Sequence, residues 1–172
     1  MILFCMLCSG CGFQLRSKGD FPKEFNPLYF SSEKPYSPLS VQLNELFQSL
    51  RVHVAKTKSD ARFSIVISHD IFSYSRPDMV NATLPTNLNF MQSAIVTIVD
   101  NKKNTTISAK SFSTSQSLTL NANQIYTANA NNLIQYELNR QLVSVIYYWL
   151  VSKNTKDVLH GTIISQTTRR TS

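Results

Sequence analysis

The chain has 172 residues, the length of one ordinary domain, and no stretch beyond the N-terminus approaches the 18 consecutive apolar residues of a membrane-spanning helix. Lys and Arg (17) exceed Asp and Glu (10), for a net charge of +7 and a pI near 9.5, yet only 16% of residues are charged, against about 25% in ordinary domains. Ser, Thr, Asn and Gln supply 59 residues, so the polar surface is built mainly from uncharged groups, which desolvate against another polar wall at far lower cost than ions.

Residues 1–16 read MILFCMLCSGCGFQLR: an apolar run, two small residues, a cysteine, then a short polar-apolar segment. Ser9-Gly10-Cys11 has the form of a bacterial lipoprotein processing site. Small residues precede the cleaved bond because the peptidase cleft admits little else, and the cysteine thiolate takes up the diacylglycerol. On this reading residues 1–10 are a signal peptide and Cys11 is a lipid tether. Ten residues without Lys or Arg are short for such a signal, so the start of translation is expected upstream of Met1. The plainer alternative is a short apolar N-terminal strand. The three cysteines are Cys5, Cys8 and Cys11, so processing would leave no thiol for a disulfide or a thiolate metal site. A basic exported lipoprotein would meet anionic lipid or phosphorylated glycolipid rather than nucleic acid, unless its charge merely keeps it solvated.

Gly12–Leu15 and Leu28–Ser31 read as short strands, and Pro22, Pro27, Pro35 and Pro38 keep that region from being helical. Ser37-Pro38 supplies an N-cap and a first-turn proline. Leu39, Leu43, Leu46, Phe47 and Leu50 then predict an amphipathic helix over 38–51. Residues 62–74 read as a strand with Phe63, Ile65, Ile67 and Ile71 on one face. A loop over 76–85 follows. Phe90–Val99 and Thr105–Leu120 predict a hairpin turned by Asn101-Lys102-Lys103-Asn104. After a polar connection over 121–132, Asn132 and Gln135 resemble a capping box. Ile134, Leu138, Leu142, Val145, Ile146 and Trp149 predict a helix over 132–152, and the polar residues 153–172 a disordered tail. The expected fold is α+β: two helices packed on one face of a mostly antiparallel four-stranded sheet, a single domain over 11–152.

Catalysis finds little support. His53, His69 and His160 share no short metal-ligand spacing, and four glycines leave no phosphate loop or nucleophile elbow. His69 and Asp70 on one strand point to opposite faces. No enzyme activity, metal or cofactor is expected.

Cys11-Gly12-Phe13-Gln14-Leu15-Arg16 resembles the mature start of the LPS-assembly lipoprotein LptE family, with its lipidated Cys-Gly, aromatic, polar residue and Leu-Arg. Ile107-Ser108-Ala109-Lys110-Ser111-Phe112 is similar to a segment of that family's last strand, and Pro38-Leu39-Ser40 opens the first helix in parallel. The resemblance spans about residues 11–152. It implies an outer-membrane lipoprotein on the periplasmic side, held in lipid through the acylated cysteine, that plugs and helps assemble the β-barrel LptD and binds lipopolysaccharide, with no cofactor. Gly12 in place of Asp fits an outer-membrane destination. A lysine that some members carry after the last strand has no counterpart in Leu120-Asn121-Ala122-Asn123-Gln124, and Arg76 stands loosely where others have an arginine. The lipopolysaccharide-binding candidates are Arg76, Lys110, Lys102 and Lys103; each lysine could equally be a solvated turn or strand residue. The other roles weighed are an unrelated periplasmic scaffold or adaptor lipoprotein and an envelope hydrolase, the last lacking an identifiable nucleophile or metal site.

Overall fold

The computed structural model describes residues 21–75, 86–120 and 128–170. Cys11, the Gly12–Leu15 segment and Arg76 lie outside these residues. Seven elements follow in chain order: β1 (Leu28–Ser32), α1 (Pro38–Ser49), β2 (Phe63–Ser75), β3 (Thr86–Asp100), β4 (Thr105–Leu120), α2 (Ala128–Leu150) and α3 (Lys153–Arg170). The sheet order is β1-β2-β3-β4, parallel between β1 and β2 and antiparallel thereafter, so the expected α+β architecture with a mostly antiparallel sheet is present. The outer edge of β1 is partly covered, because Leu28 exchanges backbone bonds with His53 and Ala55. The 16-residue β4 forms the opposite edge.

Local chemistry explains the first helix. Pro38 opens α1 with φ already set, and the Ser37 hydroxyl accepts from the Ser40 amide at 3.2 Å. Ser40 in turn donates to the Ser32 hydroxyl at 2.7 Å, which ties the cap to the end of β1. Leu39, Leu43 and Phe47 are buried in the same apolar cluster as Phe63, Ile65, Ile67 and Val96 of the sheet. Removing the cap with Ser37→Ala should cost about 1 kcal/mol, read as a lowered urea midpoint with an unchanged slope.

Strand β2 departs from the expected alternation. Its pairing with β3 shifts between Ser68 and Ile71, so one extra residue sits in β2 as a bulge. His69 there has φ 52°, in the left-handed region, and its amide donates to a Glu33 carboxylate oxygen at 2.9 Å. Lys34 Nζ donates to the Asp70 carbonyl at 2.6 Å. The bulge reverses the facing of everything after it. Ile71, expected in the core, is 48% exposed, while Asp70 is buried. Phe72 lines the core side instead.

Asp70 belongs to a polar layer that divides the core. Gln92 donates its amide to the Asp70 carboxylate, and both are buried. Thr114, paired with Gln92 in the ladder, donates to the Leu138 carbonyl at 3.0 Å. Buried Asn139 follows and donates to the Gln135 carbonyl at 2.8 Å. One side of this layer holds the larger apolar cluster, from Phe21 to Leu159; the other holds Leu88, Phe90, Ile134 and Leu138.

The helical C-terminus corrects two expectations. Helix α2 begins at Ala128, so Asn132 and Gln135 lie inside it and form no capping box at its start. The 153–172 tail, expected to be disordered, carries α3 over Lys153–Arg170, a third helix. Ser152 caps α3, accepting from the Thr155 amide at 3.3 Å, and the Thr155 hydroxyl reaches back to the Trp149 carbonyl at 2.7 Å. Leu159 is fully buried in the main cluster, Ile163 packs against it, and His160 Nε2 lies 3.3 Å from Glu24, so a few contacts hold a helix of polar composition. Among the described residues, no helix is long and apolar enough to cross a membrane.

Candidate functional site

The ladder register divides the sheet into two chemically different faces. Phe63, Ile65 and Ile67 of β2, and Phe90, Ala94, Val96 and Ile98 of β3, point toward the helices and are buried. Among the described residues, no helix packs on the reverse face. On β4 it presents Ala109, Ser111, Ser113, Ser115, Ser117 and Thr119; on β3, Asn87, Asn89, Met91, Ser93, Ile95, Thr97 and Val99. Val66, Ser68, Ile71, Ser73 and Ser75 of β2 and Tyr29 and Ser31 of β1 complete it. None of these is Lys, Arg, Asp or Glu. Neighbouring polar groups already satisfy one another in part: Ser117 donates to Asn89 at 2.6 Å and Thr119 to Asn87 at 2.8 Å. A solvated face of an antiparallel sheet ordinarily mixes charges among its polar residues. This one offers hydroxyls, amides and scattered aliphatics, groups that a polar wall can cover without stranding an ion.

The sequence-derived cations fall in separate places. Lys102 and Lys103 sit in the β3–β4 turn, where their backbone amides both donate to the Asp100 carboxylate at 2.9 and 3.3 Å. Asp100 is fully buried, and its second oxygen lies 3.6 Å from the Arg62 guanidinium. The Asn101 side chain bonds to Ser64, Lys58 and Ala61, fixing the turn to the start of β2. Lys58, Arg62, Lys102 and Asn104 line a groove of about 530 Å³ beside the turn. These bonds give the turn segment a structural role whatever its lysine side chains bind. Asp100→Ala would leave two amides and a half-buried guanidinium without their acceptor, and should lower stability by about 2 kcal/mol in urea denaturation.

Lys110 lies well along β4. Its neighbours Ser108, Ala109 and Phe112, with Val145, Tyr148 and Trp149 of α2 and Ser152 and Asn154 at the α2–α3 junction, line a shallow groove of about 560 Å³. The Lys110 ammonium sits 5.3 Å from the centre of the buried Phe112 ring, and Trp149 meets the same ring edge-on at 5.4 Å. Val145, expected in the buried stripe of α2, is 45% exposed: it lies about 100° around the helix from Ile146 and forms the groove wall instead. Lys110 is five strand residues beyond the turn, roughly 17 Å from it, so the three lysines do not converge on one ligand. Ser75, which precedes Arg76, pairs with Asn89 at the end of the sheet remote from the turn. Elsewhere on α2, Arg140 forks onto exposed Glu137 with two 3.0 Å bonds, which hold that carboxyl below its ordinary pKa. His69 is exposed and Asp70 buried, and no group of three or more His, Cys, Asp or Glu among the described residues is placed to hold a metal ion.

No protein-family model and no curated protein matches the chain. Solved structures do. The solution structure of an uncharacterized lipoprotein B from Nitrosomonas europaea aligns with a TM-score of 0.59 at 15% identity, covering 87% of this chain and 96% of that one. The chain shares that fold. A minor lipoprotein from Acinetobacter baumannii (15% identity, 72% and 86% covered, TM-score 0.46) and rare lipoprotein B from Shewanella oneidensis (13%, 84% and 98%, 0.43) also align. These structural neighbours are bacterial lipoproteins.

Proposed function

We propose that this chain is an outer-membrane lipoprotein of the LptE kind, anchored through Cys11, that plugs and helps assemble an LptD-like β-barrel and binds lipopolysaccharide on its way to the outer leaflet. It acts by binding, without catalysis or cofactor. The observation that carries the reading is the ion-free reverse face of the sheet. The lumen of a large outer-membrane barrel is polar, and a plug within it must satisfy hydrogen bonds over a wide area without burying unpaired charge. Ser, Thr and Asn projecting from rigid strands suit that task. The Ser9-Gly10-Cys11 signal and the Cys11–Arg16 and Ile107–Phe112 resemblances supply the family and the anchor.

The test is recovery of the complex. Protein expressed from its full reading frame should carry acylated Cys11, and Cys11→Ala should leave it unprocessed or released from the membrane, since stable anchoring needs at least two acyl chains. A pull-down from detergent-solubilised outer membranes should bring down a large β-barrel. Because the contact is mainly uncharged, recovery should persist in 1 M salt, where the Debye length is about 3 Å. Recovery of a different envelope protein and no barrel would favour the scaffold role instead.

A further inference from the structure

We infer that the groove between β4 and the α2–α3 junction is a headgroup site for a phosphorylated glycolipid, with Lys110 pairing a phosphate and Trp149 and Tyr148 bearing on the sugar. The inference rests on the lipopolysaccharide-binding reading above and assigns it a place. Among the described residues, Lys110 is the only cation lining the groove, and no carboxylate lines it. Its ammonium is not engaged in an ion pair among the described residues; it rests over Phe112 instead. That position keeps the stem packed while the charge stays at the groove surface.

The rest of the lining suits a sugar. Pyranose rings present apolar C–H faces between hydroxyls, and an aromatic ring beside small hydrogen-bonding groups complements both. Trp149 packs edge-on against the buried Phe112 ring, a contact that favours this orientation before any ligand arrives. Ser108 and Asn154 stand at the rim as uncharged hydrogen-bonding groups, and exposed Val145 continues the apolar surface. The volume, about 560 Å³, lies within the range of small-molecule sites. The groove lies at the β4 edge and is lined mainly from the helix side, with only Ala109 shared with the reverse face.

Trp149 is the only tryptophan, so the protein's intrinsic emission reports this groove directly. The experiment titrates the full chain in mild detergent with lipopolysaccharide, with enzymatically dephosphorylated lipopolysaccharide, and with phosphatidylglycerol vesicles, following Trp149 emission and, separately, calorimetric binding. Lipopolysaccharide should shift the emission; removing its phosphates, or Lys110→Ala, should weaken binding about tenfold or more, and Lys110→Arg should restore it. Lys110 is exposed, so these variants should melt like the parent. Calorimetric binding without change in Trp149 emission, and undiminished in Lys110→Ala, would overturn the groove while leaving lipopolysaccharide binding in place. An equal response to phosphatidylglycerol would overturn sugar recognition and leave a general anionic surface. Absence of binding by both readouts would remove the groove and the lipopolysaccharide part of the proposed function together.

Discussion

Leu142→Asp should leave no cooperatively folded domain. Leu142 is fully buried at the middle of α2, within the cluster that joins α1, α2 and the sheet. Replacing it removes a leucine's transfer energy, leaves a cavity and places a carboxyl among Phe, Ile and Leu side chains. Deleting the leucine alone costs about 2–5 kcal/mol, and an unpaired buried polar group adds about 1–3 more. Their sum rivals the whole stability of an ordinary domain, about 5–15 kcal/mol. The result to look for is loss of the thermal transition and of near-ultraviolet circular dichroism. An unchanged melting temperature would mean that α2 packs with another face.

A second large effect is expected on the opposite side of the sheet, and there it should spare the fold. Ser113 and Ser115 are exposed on the reverse face of β4. The pair Ser113→Glu, Ser115→Glu puts two carboxylates where no ion stands. Free in solution they remain hydrated, so melting should move little. Covered by a barrel wall, each would lose its hydration without a partner, at several kcal/mol per ion. Barrel recovery should therefore fall at least a hundredfold, while Ser113→Ala, Ser115→Ala should retain it. If the glutamate pair still recovers the barrel in full, the contact lies elsewhere on the molecule.

Much of this arrangement was legible in the residues, and the failures have identifiable causes. The Ser37-Pro38 start was readable because capping is local chemistry, and the hairpin because a four-residue polar turn separates two long strands. The facing of Ile71 was misread because strict alternation assumes no bulge. The signal was present: His69-Asp70 interrupts the apolar series and Ile71-Phe72 are adjacent apolar residues, which one face of a strand cannot bury. Helix α3 was missed because its apolar contacts with the core are few, chiefly Leu159 and Ile163, and a serine cap starts it, too little for a periodicity argument. The site was harder. Lys110 was singled out by its position in a motif, but Tyr148 and Trp149, which line the groove with it, come from α2, nearly 40 residues later, and no local pattern joins them. Lys102 and Lys103 were picked out for their side-chain charge; the structure adds that their backbone amides also bind Asp100 and fix the turn.

The polar layer across the core bears on how α2 finds its seat. Ile134, Leu138, Leu142, Ile146 and Leu150 recur every fourth residue, so the helix could slide one turn, about 5.4 Å, along the sheet and bury nearly the same apolar surface. Apolar periodicity alone therefore discriminates weakly between neighbouring positions of the helix. The Asp70–Gln92 pair and Thr114 do not repeat. Shifted by a turn, another α2 carbonyl would meet the Thr114 hydroxyl, but Asn139 would leave the level of the buried polar layer and Gln135 or Val143 would take its place. The layer works as a detent: it adds little to the depth of the native well but raises the neighbouring ones, trading some stability for a single position of the helix.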